Sequence, residues 1–298
     1  MSKPSRLIFF GNERLATAAT TTAPVLRALV AAGYEIEAVF ASHQDAVSRQ
    51  KRDLEIGQVT HQHNIPLILP GPKDNLLEKL QKHQAEAAVL VAYGKIIPQA
   101  VIDLFPTGII NIHPSLLPEL RGPTPIETAI LEGLEKTGVS LMKLTAKMDA
   151  GPVYAQKSLE LTGSETKFEL TEELGKLGAE LLIENLAGIL DGTIQPQLQA
   201  EADATYTKLI TKQDGLISFN EPAEHIDRKV RAFLGWPKTR AVVHGQPIII
   251  TKARLANDYK DGGLVIECQP GHLEILELTG PSGRSMSGAD FISGYKRT

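Results

Sequence analysis

The 298-residue sequence predicts an α/β protein, with a doubly wound, mostly parallel sheet followed by a small β-barrel domain. Three observations carry this expectation. Short apolar runs alternate with amphipathic stretches through the first half, the βαβα rhythm of a parallel sheet. The runs at 87–93 and 108–112 are almost unbroken in apolar residues, as strands buried on both faces are. In the last third the helical rhythm gives way to strands separated by Gly-rich turns.

Taken in order, residues 6–11 read as the first strand and 24–32 as a helix stopped by Gly33. Strand two covers 35–42. Residues 52–64 read as helical, 66–69 as a short strand, and 75–83 as a helix by the spacing of Leu76, Leu77 and Leu80. The strands at 87–93 and 108–112 follow, then a helix over 125–132 and a strand over 138–144. A long amphipathic helix over 171–190, with leucines at 174, 177, 181 and 182, closes at Asp191-Gly192. Residues 193–206 are polar and weakly periodic and read as a linker. Strands near 240–254, 262–269 and 272–278 make a small domain, read as a five-stranded barrel. The predicted organisation is therefore a domain over 1–192, a linker over 193–206 and a barrel over 207–298.

Bulk properties narrow the class. Hydrophobic residues make up 42%, ordinary for a globular protein. No stretch approaches about 18 apolar residues, so no membrane span is expected, and the short apolar start is no signal peptide. Cys268 is the only cysteine, which excludes an internal disulfide and a multi-cysteine metal site and points to the cytoplasm. The net charge of −4 argues against a general nucleic-acid binder. Yet residues 206–298 hold 13 Lys and Arg against 10 Asp and Glu, while residues 1–205 hold 18 against 25. A mildly basic tail on an acidic body can meet phosphates. G-x-G-x-x-G, G-x-x-x-x-G-K-[ST] and G-x-S-x-G are all absent, and His61, His63 and His83 have no metal-ligand context.

The informative segment is Asn-Ile-His-Pro-Ser-Leu-Leu-Pro at 111–118, directly after a buried strand, with Met-Asp-Ala-Gly-Pro at 148–152 further on. Ligands of open α/β sheets sit beyond the carboxyl ends of strands, and the Tyr93-Gly94 and His113-Ser115 loops lie on that edge. Asn111, His113 and Asp149 form a set that can hold a developing oxyanion and move a proton. Asn111 can donate its amide without a change of charge, His113 can donate or pass a proton, and Asp149 can orient the imidazole. Each also has a plainer reading: His113 as a strand-end residue, Asn111 and Asp149 as turn formers. Arg121 reads either as an orienter of an anionic substrate group or as a structural ion pair. Trp236 reads as domain core more readily than as a stacking platform.

These residues resemble the 10-formyltetrahydrofolate-dependent formyltransferase family. The resemblance rests on 111–118, Arg121-Gly122 and Asp149-Ala-Gly151, with Ala-Tyr-Gly-Lys-Ile-Ile-Pro at 92–98 matching the family's preceding loop. In the second half Tyr206, Lys208, Ile217-Ser-Phe219, the run Val-Arg-Ala-Phe-Leu-Gly-Trp-Pro at 230–237, Gly245-Gln-Pro247 and Lys252-Ala253 resemble the C-terminal domain of the family members that act on methionyl-tRNA. The resemblance implies a Rossmann-type formyltransferase sheet, an OB-like C-terminal barrel, and Asn111, His113 and Asp149 as catalytic residues. It implies 10-formyltetrahydrofolate as co-substrate, without a metal, and folate contacts from Tyr93, Gly94, Ile96, Ser115, Leu116, Leu117 and Pro118. It implies initiator methionyl-tRNA as acceptor, met by Arg121, Arg49, Lys51 and Arg52 and by the barrel, in a monomeric cytoplasmic enzyme. Two departures stand out. After Gly11 the family usually has Thr-Pro-x-Phe-Ala, whereas here Asn12 opens a longer segment through Thr22. The family's Lys/Arg-rich loop after strand two is reduced to Arg49-Gln-Lys51-Arg52. Both fall where the acceptor is recognised, which keeps open a formyltransferase acting on a small amine, a formyltetrahydrofolate hydrolase, and an idle folate- or RNA-binding protein.

Overall fold

A computed structural model describes residues 5–42, 55–71, 74–257 and 263–295. The first sheet has seven strands in the order β3-β2-β1-β4-β5-β6-β7. Strands β1 (Arg6–Gly11), β2 (Glu35–Phe40), β3 (Leu67–Ile68), β4 (Ala87–Val91) and β5 (Gly108–His113) run parallel. Strands β6 (Lys136–Lys143) and β7 (Val153–Glu160) are antiparallel, so the sheet is parallel for most of its width. Every residue of β4 and β5 is buried, because helices cover both faces.

One face carries α1 (Pro24–Ala31), α2 (Glu55–Gln62), α5 (Pro125–Glu132) and α6 (Lys167–Leu190) over Phe9, Val89 and Ile110. The other carries α3 (Leu76–Leu80) and α4 (Gln99–Ile102) over Ile8, Phe10, Ala88 and Ile109. The i, i+2 alternation of each strand sends its residues to the two cores in turn. Helix α6 starts four residues before the periodicity predicts. Thr166 accepts from the Glu169 amide while the Glu169 carboxylate accepts from Thr166 N, a reciprocal cap that fixes the start.

The second sheet is antiparallel and curled. It runs β10 (Leu264–Glu267), β11 (His272–Thr279), β9 (Gln246–Ala256), β8 (Thr239–Val243), with β12 (Ser285–Ser287) on β11. The region predicted as one strand over 240–254 is a hairpin. His244 (φ 49) and Gly245 (φ 74) form its two-residue turn, the left-handed pair that matches strand twist. Helices α7 (Ala223–Ala232) and α8 (Gly288–Gly294) close the barrel-like core through Ile226, Val230 and Phe291.

Among the contacts that join the halves, two involve the segment after Gly11. Gly235 lies against Ala18 and Phe168, so close that a Cβ there would stand 3.1 Å from the Ala18 Cβ. The fully buried Lys167 donates to the carbonyls of Thr17 (2.8 Å) and Trp236 (3.0 Å). Residues 193–206 cross the first domain rather than hang free. Gln197 pairs with Val153, and the amide of Arg121 donates to the Thr205 carbonyl at 2.9 Å. No described helix is long and apolar enough to cross a membrane.

Candidate active site

The order of the sheet places the crevice. The strand order reverses between β1 and β4, with β2 and β3 added on one side and β5 on the other, and ligands of such sheets lie past the strand ends there. Gly11 ends β1 with φ 120, and a Cβ would meet the Val91 carbonyl oxygen at 1.8 Å, so only glycine lets β1 and β4 close on each other. Asn111 and His113 are two apart near the end of β5 and share one face. They are 7% and 5% exposed. The backbone of Asn111 sits in the ladder between Leu90 and Met142, which fixes where its side-chain amide starts. An amide N–H held by a rigid strand end is the kind of donor a developing oxyanion needs.

His113 Nε2 lies 3.0 Å from the Leu120 carbonyl oxygen. A carbonyl only accepts, so Nε2 carries the hydrogen and Nδ1 is the nitrogen left to exchange a proton. Nδ1 faces Asp149 Oδ1 at 3.8 Å. The other carboxylate oxygen of Asp149 accepts from Gly122 N at 2.8 Å. Asp149 has φ 47, a strained position for a residue with a side chain. The fold thus brings together all three residues proposed as catalytic, from one strand end and one turn.

The remaining sequence-assigned residues divide. Gly94 (φ 71) turns the chain after β4, and Ile96 is 95% exposed beside it. The Tyr93 ring points away into the core, edge-on to Phe10 at 5.3 Å, and burial pushes its hydroxyl pKa up. Ser115 is buried and donates to the Glu119 carbonyl at 2.6 Å. Leu117 is buried, and its amide donates to Ser140 Oγ at 3.0 Å. Leu116 packs over Gly138 of β6, and Pro118 is half-buried. Arg121 is wholly buried. It donates to Gln199 Oε1 (3.0 Å), Glu201 Oε2 (3.1 Å) and the Tyr206 hydroxyl (2.7 Å). Arg49, Lys51 and Arg52 lie outside the described residues.

Sequence reasoning missed three supports. Ser140 Oγ donates to the Ser115 carbonyl, and Gln156 Nε2 donates to the Leu117 carbonyl at 2.8 Å, pinning the 115–118 loop to β6 and β7. The third is Gln199. Their only signal was polarity in or near strands. The long segment after Gly11 folds inward: Glu13 (φ 58) accepts from the first amides of α1, Val25 N and Leu26 N, both at 2.9 Å. Burial outweighs those donors and pushes its carboxyl up to about 7. Among the described residues no group of three or more His, Cys, Asp or Glu side chains could hold a metal ion.

The formyl transferase family matches residues 15–186, and its C-terminal domain matches residues 209–296. Methionyl-tRNA formyltransferase of Chloroflexus aurantiacus is 38% identical over 97% of this chain and 96% of its own. The chain belongs to the methionyl-tRNA formyltransferase family. The enzyme of the same name from Solibacter usitatus is 35% identical over 98% of this chain and 96% of its own. Among solved structures, the N-formyltransferase from Helicobacter canadensis in complex with folinic acid and dTDP-3-aminofucose superposes with a TM-score of 0.69 at 18% identity. It covers 92% of this chain and 98% of that one. Methionyl-tRNA formyltransferase from Clostridium thermocellum gives a TM-score of 0.57 at 17% identity, covering 86% and 95%. At these identities the structures share the fold.

Proposed function

We propose that this enzyme transfers the formyl group of 10-formyltetrahydrofolate to the free amine of initiator methionyl-tRNA. The observation that carries the proposal is Asn111 on the same strand face as His113, which faces Asp149, in a chain matched by both family domains in order. The amine attacks the formyl carbon and the carbonyl oxygen becomes an oxyanion, toward which Asn111 donates. The attacking nitrogen must lose a proton, and the folate nitrogen must gain one as it leaves. His113 Nδ1 takes up and returns that proton, with the Asp149 carboxylate facing it. The amine itself is the nucleophile, so no serine or cysteine is needed.

In this reading Gly94 and the exposed Ile96 meet the pterin end of the folate, with Leu116 and Pro118 beside them. Tyr93, Ser115 and Leu117 shape that contact from behind through backbone and packing. The barrel over 207–298 holds the tRNA, with help from Arg49, Lys51 and Arg52, and Arg121 supports the acceptor side from below. The test is formylation of charged methionyl-tRNA beside small amines, with labelled formyl donor. Transfer to the tRNA is expected, with the Michaelis constant for tRNA rising with salt and that for the folate unmoved. Transfer only to small amines, or formate release without an acceptor, overturns the assignment.

A further inference from the structure

We propose that Gln199 is a positioning residue for formyl transfer, holding the Asp149 turn in its reactive shape from outside the catalytic set. The inference rests on the function proposed above and adds a residue that the reaction itself does not name.

The geometry is specific. Both hydrogens of the Gln199 side-chain amide are used, one toward the Asp149 carbonyl at 2.8 Å and one toward the Gly151 carbonyl at 2.6 Å. Its oxygen accepts from Arg121 Nε at 3.0 Å, which fixes which end of the amide faces the turn. Arg121 is itself locked by Glu201 and Tyr206, and its backbone pairs with Thr205 and Thr207. One segment, 197–207, therefore ties together the two loops whose residues meet at the His113–Asp149 pair.

The turn needs such a hold. Asp149 sits at φ 47, in the left-handed region, so its backbone would be free to relax if its carbonyl were released. Gly151 cannot compensate, because it already lies against the Lys143 carbonyl, where a Cβ would stand at 1.8 Å. The gap between Asp149 Oδ1 and His113 Nδ1, 3.8 Å, is just beyond hydrogen-bond reach. A shift of about 1 Å at such a distance is worth up to about 100-fold in rate.

Two substitutions separate positioning from general support. Gln199→Ala removes the donors to the turn and the acceptor for Arg121. Gln199→Glu keeps the size and strengthens the contact to Arg121, yet offers a carboxylate to two carbonyl oxygens that need donors. With the full chain, we expect Gln199→Ala to lower kcat about 10–100-fold with little change in the Michaelis constant for the folate. Gln199→Glu should be no better than Gln199→Ala. In an Asp149→Ala background, Gln199→Ala should cause little further loss, because the residue it positions is gone.

A glutamate variant near wild type would mean that only the bond to Arg121 matters, and would overturn the proposal. Equal losses with and without Asp149 would do the same. A crystal structure of the Gln199→Ala protein with the Asp149 turn unmoved would overturn it whichever amine is the acceptor. Wild-type activity on small amines alone would sink the tRNA assignment and leave these comparisons to be made with that substrate.

Discussion

Replacing Lys167 with methionine should destabilise the enzyme by about 3–5 kcal/mol, although the residue touches no substrate in the proposed mechanism. The magnitude follows from its surroundings. Lys167 is fully buried, and its ammonium is shared between the Thr17 carbonyl (2.8 Å), the Trp236 carbonyl (3.0 Å) and Glu127 Oε1 (3.8 Å). Glu127 is 2% exposed, and its Oε2 has no partner among the described residues. Burial lowers the lysine's pKa and raises that of the glutamate, each opposed by the other's charge. Methionine keeps most of the volume but leaves two carbonyls without a donor and a carboxylate without a counter-charge. For a domain of about 150–250 residues, 1 kcal/mol moves the melting midpoint by about 2–4 °C, so a fall of about 10 °C is expected. Calorimetry and urea unfolding measure it. The double variant Lys167→Met, Glu127→Gln removes the orphaned charge and should recover at least about 1.5 kcal/mol. A single variant within about 1 kcal/mol of wild type, or a double variant no better than the single, would refute the reasoning.

The other predictions concern chemistry and pH. His113→Ala and Asp149→Ala should each cut turnover by about 10²–10⁴ while folate binding by titration calorimetry stays near normal; near-normal turnover removes the residue from the mechanism. Asn111→Asp should turn over more slowly than Asn111→Ala, itself down by about 10²–10³, because a carboxylate would face the oxyanion; the reverse order in single-turnover assays ends that role. Glu13 has a folded pKa of about 7 against an ordinary 4.5, so the stability it lends is full below pH 4.5 and is lost as pH rises through 7. Glu13→Gln should flatten the pH dependence of unfolding by about 3 kcal/mol across that window; parallel urea curves at pH 4.5, 6 and 7.5 for both proteins would contradict it.

What could be read from the sequence follows burial. The strands β4 and β5 are apolar almost throughout because both faces are covered, and they carry the site edge with them. Asn111 and His113 were legible because a two-residue spacing at a strand end puts both side chains on one face. Strand β7 escaped notice because it is an edge strand whose alternate residues, Gln156, Ser158 and Glu160, are exposed. Helix α7 was hidden by its composition, Ala-Glu-His-Ile-Asp-Arg-Lys-Val-Arg-Ala, which buries only Ala223, Ile226, Val230 and Ala232. Gln199 was out of reach for another reason. Its partners in the Asp149 turn lie about fifty residues earlier and Arg121 earlier still, and only the folded chain brings them together.

The joint at Gly235 bears on how this enzyme can be recombined with its relatives. Gly235 has φ 76, and its bare Cα faces both Ala18 and the Phe168 ring. Ala18 belongs to the lengthened segment after Gly11, so the part of this chain that departs from its family is fitted to the C-terminal half. A chimera that kept residues 1–205 and took the rest from a relative would set a foreign loop against that segment. Exchanging the segment alone would leave the same mismatch from the other side. The two regions meet in the fold despite lying more than two hundred residues apart in the chain, so a recombination library should carry them together.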